Sequence, residues 1–149
     1  MVRLSSDLID PGALLSAFLV GRSDTGGVVS FTGLVRADEG VEALELEAYP
    51  GFTEAEIERV RAQALERFTL DDALCVHRIG RVAIGEPVVF VAAAARHRRA
   101  AFEGADYLMD YLKSQAPFWK KSHERSGARW IEPTERDHAD LARWETHRP

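Results

Sequence analysis

The sequence predicts a single α+β domain over residues 1–149, with a mixed or antiparallel sheet, hairpins and about three main helices, of the α/β-hammerhead kind. Two observations carry this. The length is that of one hydrophobic core. The elements read in the order β-α-β-β-α-β-β-α-β, with strands in adjacent pairs, which argues against a doubly wound parallel sheet.

"DPGALLSAFLVG" is the first helix: Asp10 caps it, Pro11 suits its first turn, Leu14, Leu15, Phe18 and Leu19 form an apolar stripe, and Gly21 ends it. "GGVVSFTGLVR" (26–36) is rich in β-branched residues and reads as a strand. After the polar turn "ADEG", "VEALELEAY" (41–49) alternates apolar and acidic residues like a strand with one wet face. Together they predict an antiparallel hairpin with Arg36 at its tip.

"TEAEIERVRAQALERF" (53–68) is the clearest helix, with a Thr53/Glu56 capping box and Ile57, Val60, Ala64, Leu65 and Phe68 on one face. Residues 73–80 and 86–95 read as two strands joined around Gly80 to Gly85. A third helix spans about Arg99 to Gln115, with Phe102, Ala105, Leu108 and Leu112 inward. It stops at Ala116, because a residue preceding proline is biased away from helical geometry. In "KSQAPFWKK" (113–121), Phe118 and Trp119 are expected to bury their rings and anchor a turn that returns Lys120 toward Lys113. "ARWIE" (128–132) is a short strand. The polar tail from Pro133, with Leu141 and Trp144, suits a loose helix or a docking segment.

Composition excludes several classes. The chain is 46% hydrophobic and 29% charged, as ordinary globular proteins are, and its net charge of −5 gives no field for a nucleic-acid binder. One cysteine, Cys75, rules out an internal disulfide and a Cys-rich zinc site, and it reads as inert packing. No run approaches the roughly 18 apolar residues of a membrane span. The opening "MVRLSSDLID" lacks a secretory pattern, so a cytoplasmic location is expected. His123, His138 and His147 show no metal-ligand spacing, and no metal site or cofactor is expected. His77 reads as packing. Charge is nonetheless uneven: from Arg96 to Arg125 seven Lys/Arg face four Asp/Glu, a net of +3, leaving −8 elsewhere. A locally basic segment in an acidic chain suits a small anion, with a solvated basic face as the alternative.

Two basic clusters stand out. "RHRRAAF" (96–102) lies where a strand runs into a helix, and free amides at a helix N-terminus favour anions. Lys113 ends the third helix, where a cation suits the macrodipole. Lys120 follows a stiff Pro-Phe-Trp, and crowded lysines can act as bases or nucleophiles.

The segments "FTGLVR", "LELEAY", "HRIGRVAIGE", "HRRAAF", "YLMDYLK" and "APFWKK", in this order and spacing, resemble the catalytic (large) subunit of molybdopterin synthase over about Gly26 to Glu132. The resemblance implies a sulfurtransferase that converts cyclic pyranopterin monophosphate into molybdopterin, within molybdenum cofactor biosynthesis. It implies a small ubiquitin-like partner whose Gly-Gly tail ends in a thiocarboxylate and delivers the sulfur. It also implies a heterotetramer built on a homodimer of large subunits. Carried over by residue, Lys113 and Lys120 are catalytic, Arg36, His97 and Arg98 bind substrate, and Phe31 and Met109 shape the tail channel. Two positions depart from the family. Ser122 stands where a glutamate is common, and Thr134 stands near an arginine borrowed from the neighbouring large subunit, for which Arg129 or Arg136 would substitute. A non-catalytic anion- or nucleotide-binding module on the same fold is the competing reading.

Overall fold

Two four-stranded sheets organise the chain in the computed structural model, which describes residues 1–38 and 40–146. The elements are β1 (Val2–Ser5), α1 (Pro11–Leu19), β2 (Gly27–Leu34), β3 (Val41–Ala48), α2 (Phe52–Phe68), β4 (Asp72–Arg78), β5 (Gly80–Ala83), β6 (Pro87–Ala95), α3 (Arg98–Ser114), β7 (Phe118–Glu124), β8 (Gly127–Ile131) and α4 (Glu135–Thr146). The first sheet has the order β1-β4-β6-β2, with β1 parallel to β4 and the other neighbours antiparallel. The second, β5-β3-β7-β8, is antiparallel throughout. The α+β class expected from the sequence is the class observed, and no helix among the described residues is long and apolar enough to cross a membrane.

The run "PVVFVAAAA" is continuously apolar because β6 is covered on both faces. Val89, Val91, Ala93 and Ala95 pack with Ile57, Val60 and Ala64 of α2 and with Ala101, Ala105 and Leu108 of α3. The alternate residues Phe90, Ala92 and Ala94 pack with Phe18, Leu14 and Leu15 of α1. Alanines keep the layers close, so α3 lies directly on the sheet and its C-terminal end reaches the second sheet.

Several expectations are corrected. The hairpin of 26–36 with 41–49 does not form: β2 pairs with β6, and β3 pairs with β5 and β7 in the other sheet. The cause is Val35, only 2% exposed, which packs with Leu46 and Val82 and draws the chain from one sheet to the other. Arg36 therefore sits on a crossover, and the "ADEG" turn includes Glu39, which lies outside the described residues. The strand expected over 73–80 forms as β4, and the connection expected around Gly80 to Gly85 holds a further strand, β5, which belongs to the other sheet.

Residues 118–121 are not a turn but the start of β7, an interior strand between β3 and β8. Pro117 precedes that strand, where its missing N–H costs no ladder bond. Phe118 is half-buried, but Trp119 is 51% exposed, because successive strand side chains face opposite ways. The Thr53/Glu56 capping box is absent. α2 begins one residue earlier behind Gly51, and Thr53 is buried, its hydroxyl donating to the Pro117 carbonyl at 2.9 Å and accepting from the Tyr49 amide at 2.9 Å. Phe102, expected inward, is 53% exposed.

The tail from Pro133 forms α4 and docks on its own chain. Arg143 pairs with Asp106 at 2.7 Å and Asp110 at 2.6 Å, and the Trp144 ring packs edge-on to Phe68 and Tyr107. His147 lies outside the described residues.

Candidate active site

Strand register assembles the site. On β7, Phe118, Lys120, Ser122 and Glu124 share one face. Opposite them in register are Leu46 and Leu44 on β3, and Ile131 and Arg129 on β8. The C-terminal half of α3 closes over this face with Met109, Leu112 and Lys113, enclosing a cavity of about 590 Å³ whose rim includes Arg36, Asp38, Thr134 and Asp137. The cavity thus lies between the two sheets, where ligand sites commonly form.

Lys113 and Lys120 both line it. The other cations there are already engaged. Arg36 is paired with Asp38 by two contacts of 2.6 and 3.0 Å, and Arg129 with Glu124 at 3.1 Å. Burial first and the Lys113 charge second bring the Lys120 amine down to a pKa of about 8, with Asp137 opposing both. The cost of desolvating an ammonium thus leaves a substantial neutral fraction near physiological pH.

Asp137 is fixed by a reciprocal cap at the start of α4. Its carboxylate accepts from the Thr134 amide at 2.8 Å and hydroxyl at 2.7 Å, and Ser114 at the end of α3 donates to its carbonyl at 2.7 Å. Burial would raise the Asp137 pKa, but the Thr134 bonds and the two lysines hold it below the usual carboxylate range. The sequence reading missed Asp137; the spacing Thr134-x-x-Asp137 ahead of Leu141 and Trp144 was its signal.

His77 also borders the cavity, stacked on Phe118 with ring centroids 4.3 Å apart, and its Nδ1 lies 2.8 Å from the Arg78 carbonyl, to which it donates. Burial pushes its pKa down to about 4, so the ring is neutral at working pH.

A second depression of about 450 Å³ is lined by Phe31, Phe102, Asp106 and Met109, among others. Met109 belongs to both, so the two hollows adjoin along α3. Phe102, Asp106, Met109 and Lys113 are spaced four, three and four residues apart, one stripe of the helix. Phe31 lies on the second hollow and not on the lysine cavity.

His97 and Arg98 are elsewhere. They stand exposed at the N-terminal end of α3, sixteen and fifteen residues before Lys113, or about 24 Å along the helix. Neither lines the lysine cavity of its own chain. Arg136 is likewise off the cavity and exposed, whereas Arg129 lines it. Cys75 is buried in β4, its thiol pushed up to about 12 by burial, and takes no part.

The family model described as "MoaE protein" matches residues 4–115. The molybdopterin synthase catalytic subunit of Caulobacter vibrioides is 58% identical over 146 residues, covering 97% of each chain. Among solved structures, molybdopterin cofactor biosynthesis protein E from Burkholderia multivorans is 41% identical with a TM-score of 0.83, covering 97% of this chain and 96% of that one. Molybdopterin synthase from Staphylococcus aureus is 30% identical with a TM-score of 0.78, over 86% and 94%.

Proposed function

The chain belongs to the MoaE protein family, and from that premise we propose that it is a molybdopterin synthase catalytic subunit acting as a sulfurtransferase. Its substrates are cyclic pyranopterin monophosphate and a small ubiquitin-like subunit carrying a C-terminal Gly-Gly thiocarboxylate. The partner tail enters along the hollow bordered by Phe31, Phe102 and Met109 and ends at Lys113. Such a channel suits an extended, side-chain-free Gly-Gly segment.

The observation that carries the reading is the pair of lysines in one cavity, one of them with its pKa lowered to about 8. Lys113 supplies positive charge to the thiocarboxylate. The thiocarboxylate sulfur bonds to a side-chain carbon of the precursor with loss of an oxygen substituent there, and water then attacks the acyl carbon and breaks the acyl carbon–sulfur bond. Neutral Lys120 takes a proton from that water and passes it to the thiolate left on the pterin, while the partner leaves as a carboxylate and its second proton goes to solvent. Arg36 reaches substrate anions by exchanging its Asp38 partner. His97 and Arg98, about 24 Å from Lys113 along α3, bind the substrate phosphate in the cavity of a second copy, which makes the homodimer part of the site. Two small subunits complete a heterotetramer.

The test is co-purification with a small protein ending in Gly-Gly, followed by conversion of the precursor by the thiocarboxylated complex. Product must appear with the wild-type chain and fall by at least about 100-fold with Lys113→Ala at unchanged thermal stability. Wild-type turnover by that variant removes Lys113 from the mechanism. Precursor binding without any product identifies a non-catalytic module instead.

A further inference from the structure

His77 faces the lysine cavity from the first sheet, on the interior strand β4, opposite Leu4 of β1 and Val89 of β6. Two contacts hold its ring: Phe118 stacks on it, and Nδ1–H donates to the Arg78 carbonyl at 2.8 Å. That second bond fixes the tautomer, because a carbonyl oxygen only accepts. With the proton on Nδ1 of a neutral ring, Nε2 carries a lone pair and can only accept. Burial keeps the ring neutral, and the charges of Lys120 and Lys113 act in the same direction. Nε2 makes no hydrogen bond among the described residues, and it is not among the unpaired polar atoms that are sealed from solvent. The 6% of the residue left exposed therefore includes this nitrogen. Both lysines are close enough to act on the ring, yet neither donates to it. The cavity wall thus presents a fixed, reachable acceptor with no donor of its own.

We infer that His77 Nε2 is the acceptor for an N–H group of a bound ligand. The inference rests on the function proposed above and adds a specificity-determining residue to it. Lys113 and Lys120 suit the anionic ends of the two ligands, whereas a neutral lone pair suits a donor. Two sources supply that donor, the ring N–H groups of the pterin and the glycine amides of the partner tail. A ligand without the donor would leave Nε2 desolvated and unpaired, which is how a buried polar group rejects an analogue.

The experiment follows the ring nitrogens of His77 by NMR in the full wild-type chain labelled with 15N-histidine. The free protein must show one protonated and one unprotonated nitrogen. Cyclic pyranopterin monophosphate and the small subunit ending in a Gly-Gly carboxylate are then each added to saturation. The unprotonated resonance is expected to move upfield, as an accepting nitrogen does, while the Nδ1 resonance keeps its place. Movement with the precursor assigns the donor to the pterin, and movement with the small subunit assigns it to the tail. No movement with either, or convergence of the two resonances as the ring becomes imidazolium, overturns the inference. His77→Phe keeps a ring on Phe118 and removes the acceptor, so the Kd of the ligand that moved Nε2 is expected to weaken about tenfold. An unchanged Kd in the folded variant also overturns it, and the labelled wild type decides the matter where the variant does not fold. Failure of the wild-type complex to convert the precursor defeats the proposed function itself. An active complex with an unmoved Nε2 defeats only this contact.

Discussion

At the scale of a single residue, Lys120 lines the cavity with a lowered pKa and carries the proposed chemistry. Burial and the neighbouring Lys113 charge lower its pKa, and Asp137 raises it, so the two neighbours act with opposite signs. Lys113→Met removes a like charge and shifts the Lys120 titration above 8. Asp137→Asn removes an opposite charge and shifts it below 8. Both are read by following the Lys120 side-chain carbon resonance against pH, which needs no turnover. Shifts of the same sign in the two variants would remove the electrostatic account. Both lysines were legible in the sequence through the helix-stopping proline between them. Asp137 was not, because its importance lies in what faces it across the cavity, and one chain read in order does not show that.

At the scale of elements, strand composition was legible and strand partnership was not. β2 and β3 look like a hairpin because they are adjacent, apolar and separated by a polar turn, but burying Val35 sends them to different sheets. "PFWKK" looked like a turn because proline and two aromatics dominate it. The alternation that makes it a strand appears only once Phe118 and Lys120 are seen on one face and Trp119 on the other. The junction leading into β2 also depends on a close approach. A Cβ at Gly26 would lie 2.1 Å from the Arg96 carbonyl oxygen, a backbone atom that cannot swing aside, and the Gly26 amide donates to the Ala95 carbonyl at 3.1 Å. Gly26→Ala is therefore expected to destabilise the fold by roughly 2 kcal/mol or more, lowering the chemical-denaturation midpoint. An unchanged midpoint would show that this junction yields without cost.

For the molecule as a whole, the two sheets divide the labour. The first, covered on both faces, is a rigid platform for α3, and the second supplies the polar floor on which Lys120 stands. α3 joins them, carrying Lys113 at one end and His97 and Arg98 at the other, so one chain cannot bring all its basic residues to one ligand. The sequence showed those clusters as neighbours in a basic segment, and a straight helix separates them. The central claim is that a neutral Lys120 moves a proton during sulfur transfer. Single-turnover conversion by the thiocarboxylated complex, measured against pH for wild type and Lys120→Arg, tests it most directly, because arginine keeps the charge and cannot give up its proton. The account predicts a wild-type rate that rises with pH through an inflection near 8, as the neutral amine accumulates, and a loss of at least about 100-fold with no such inflection in Lys120→Arg. A variant that turns over at the wild-type rate, or that keeps the inflection, would contradict it.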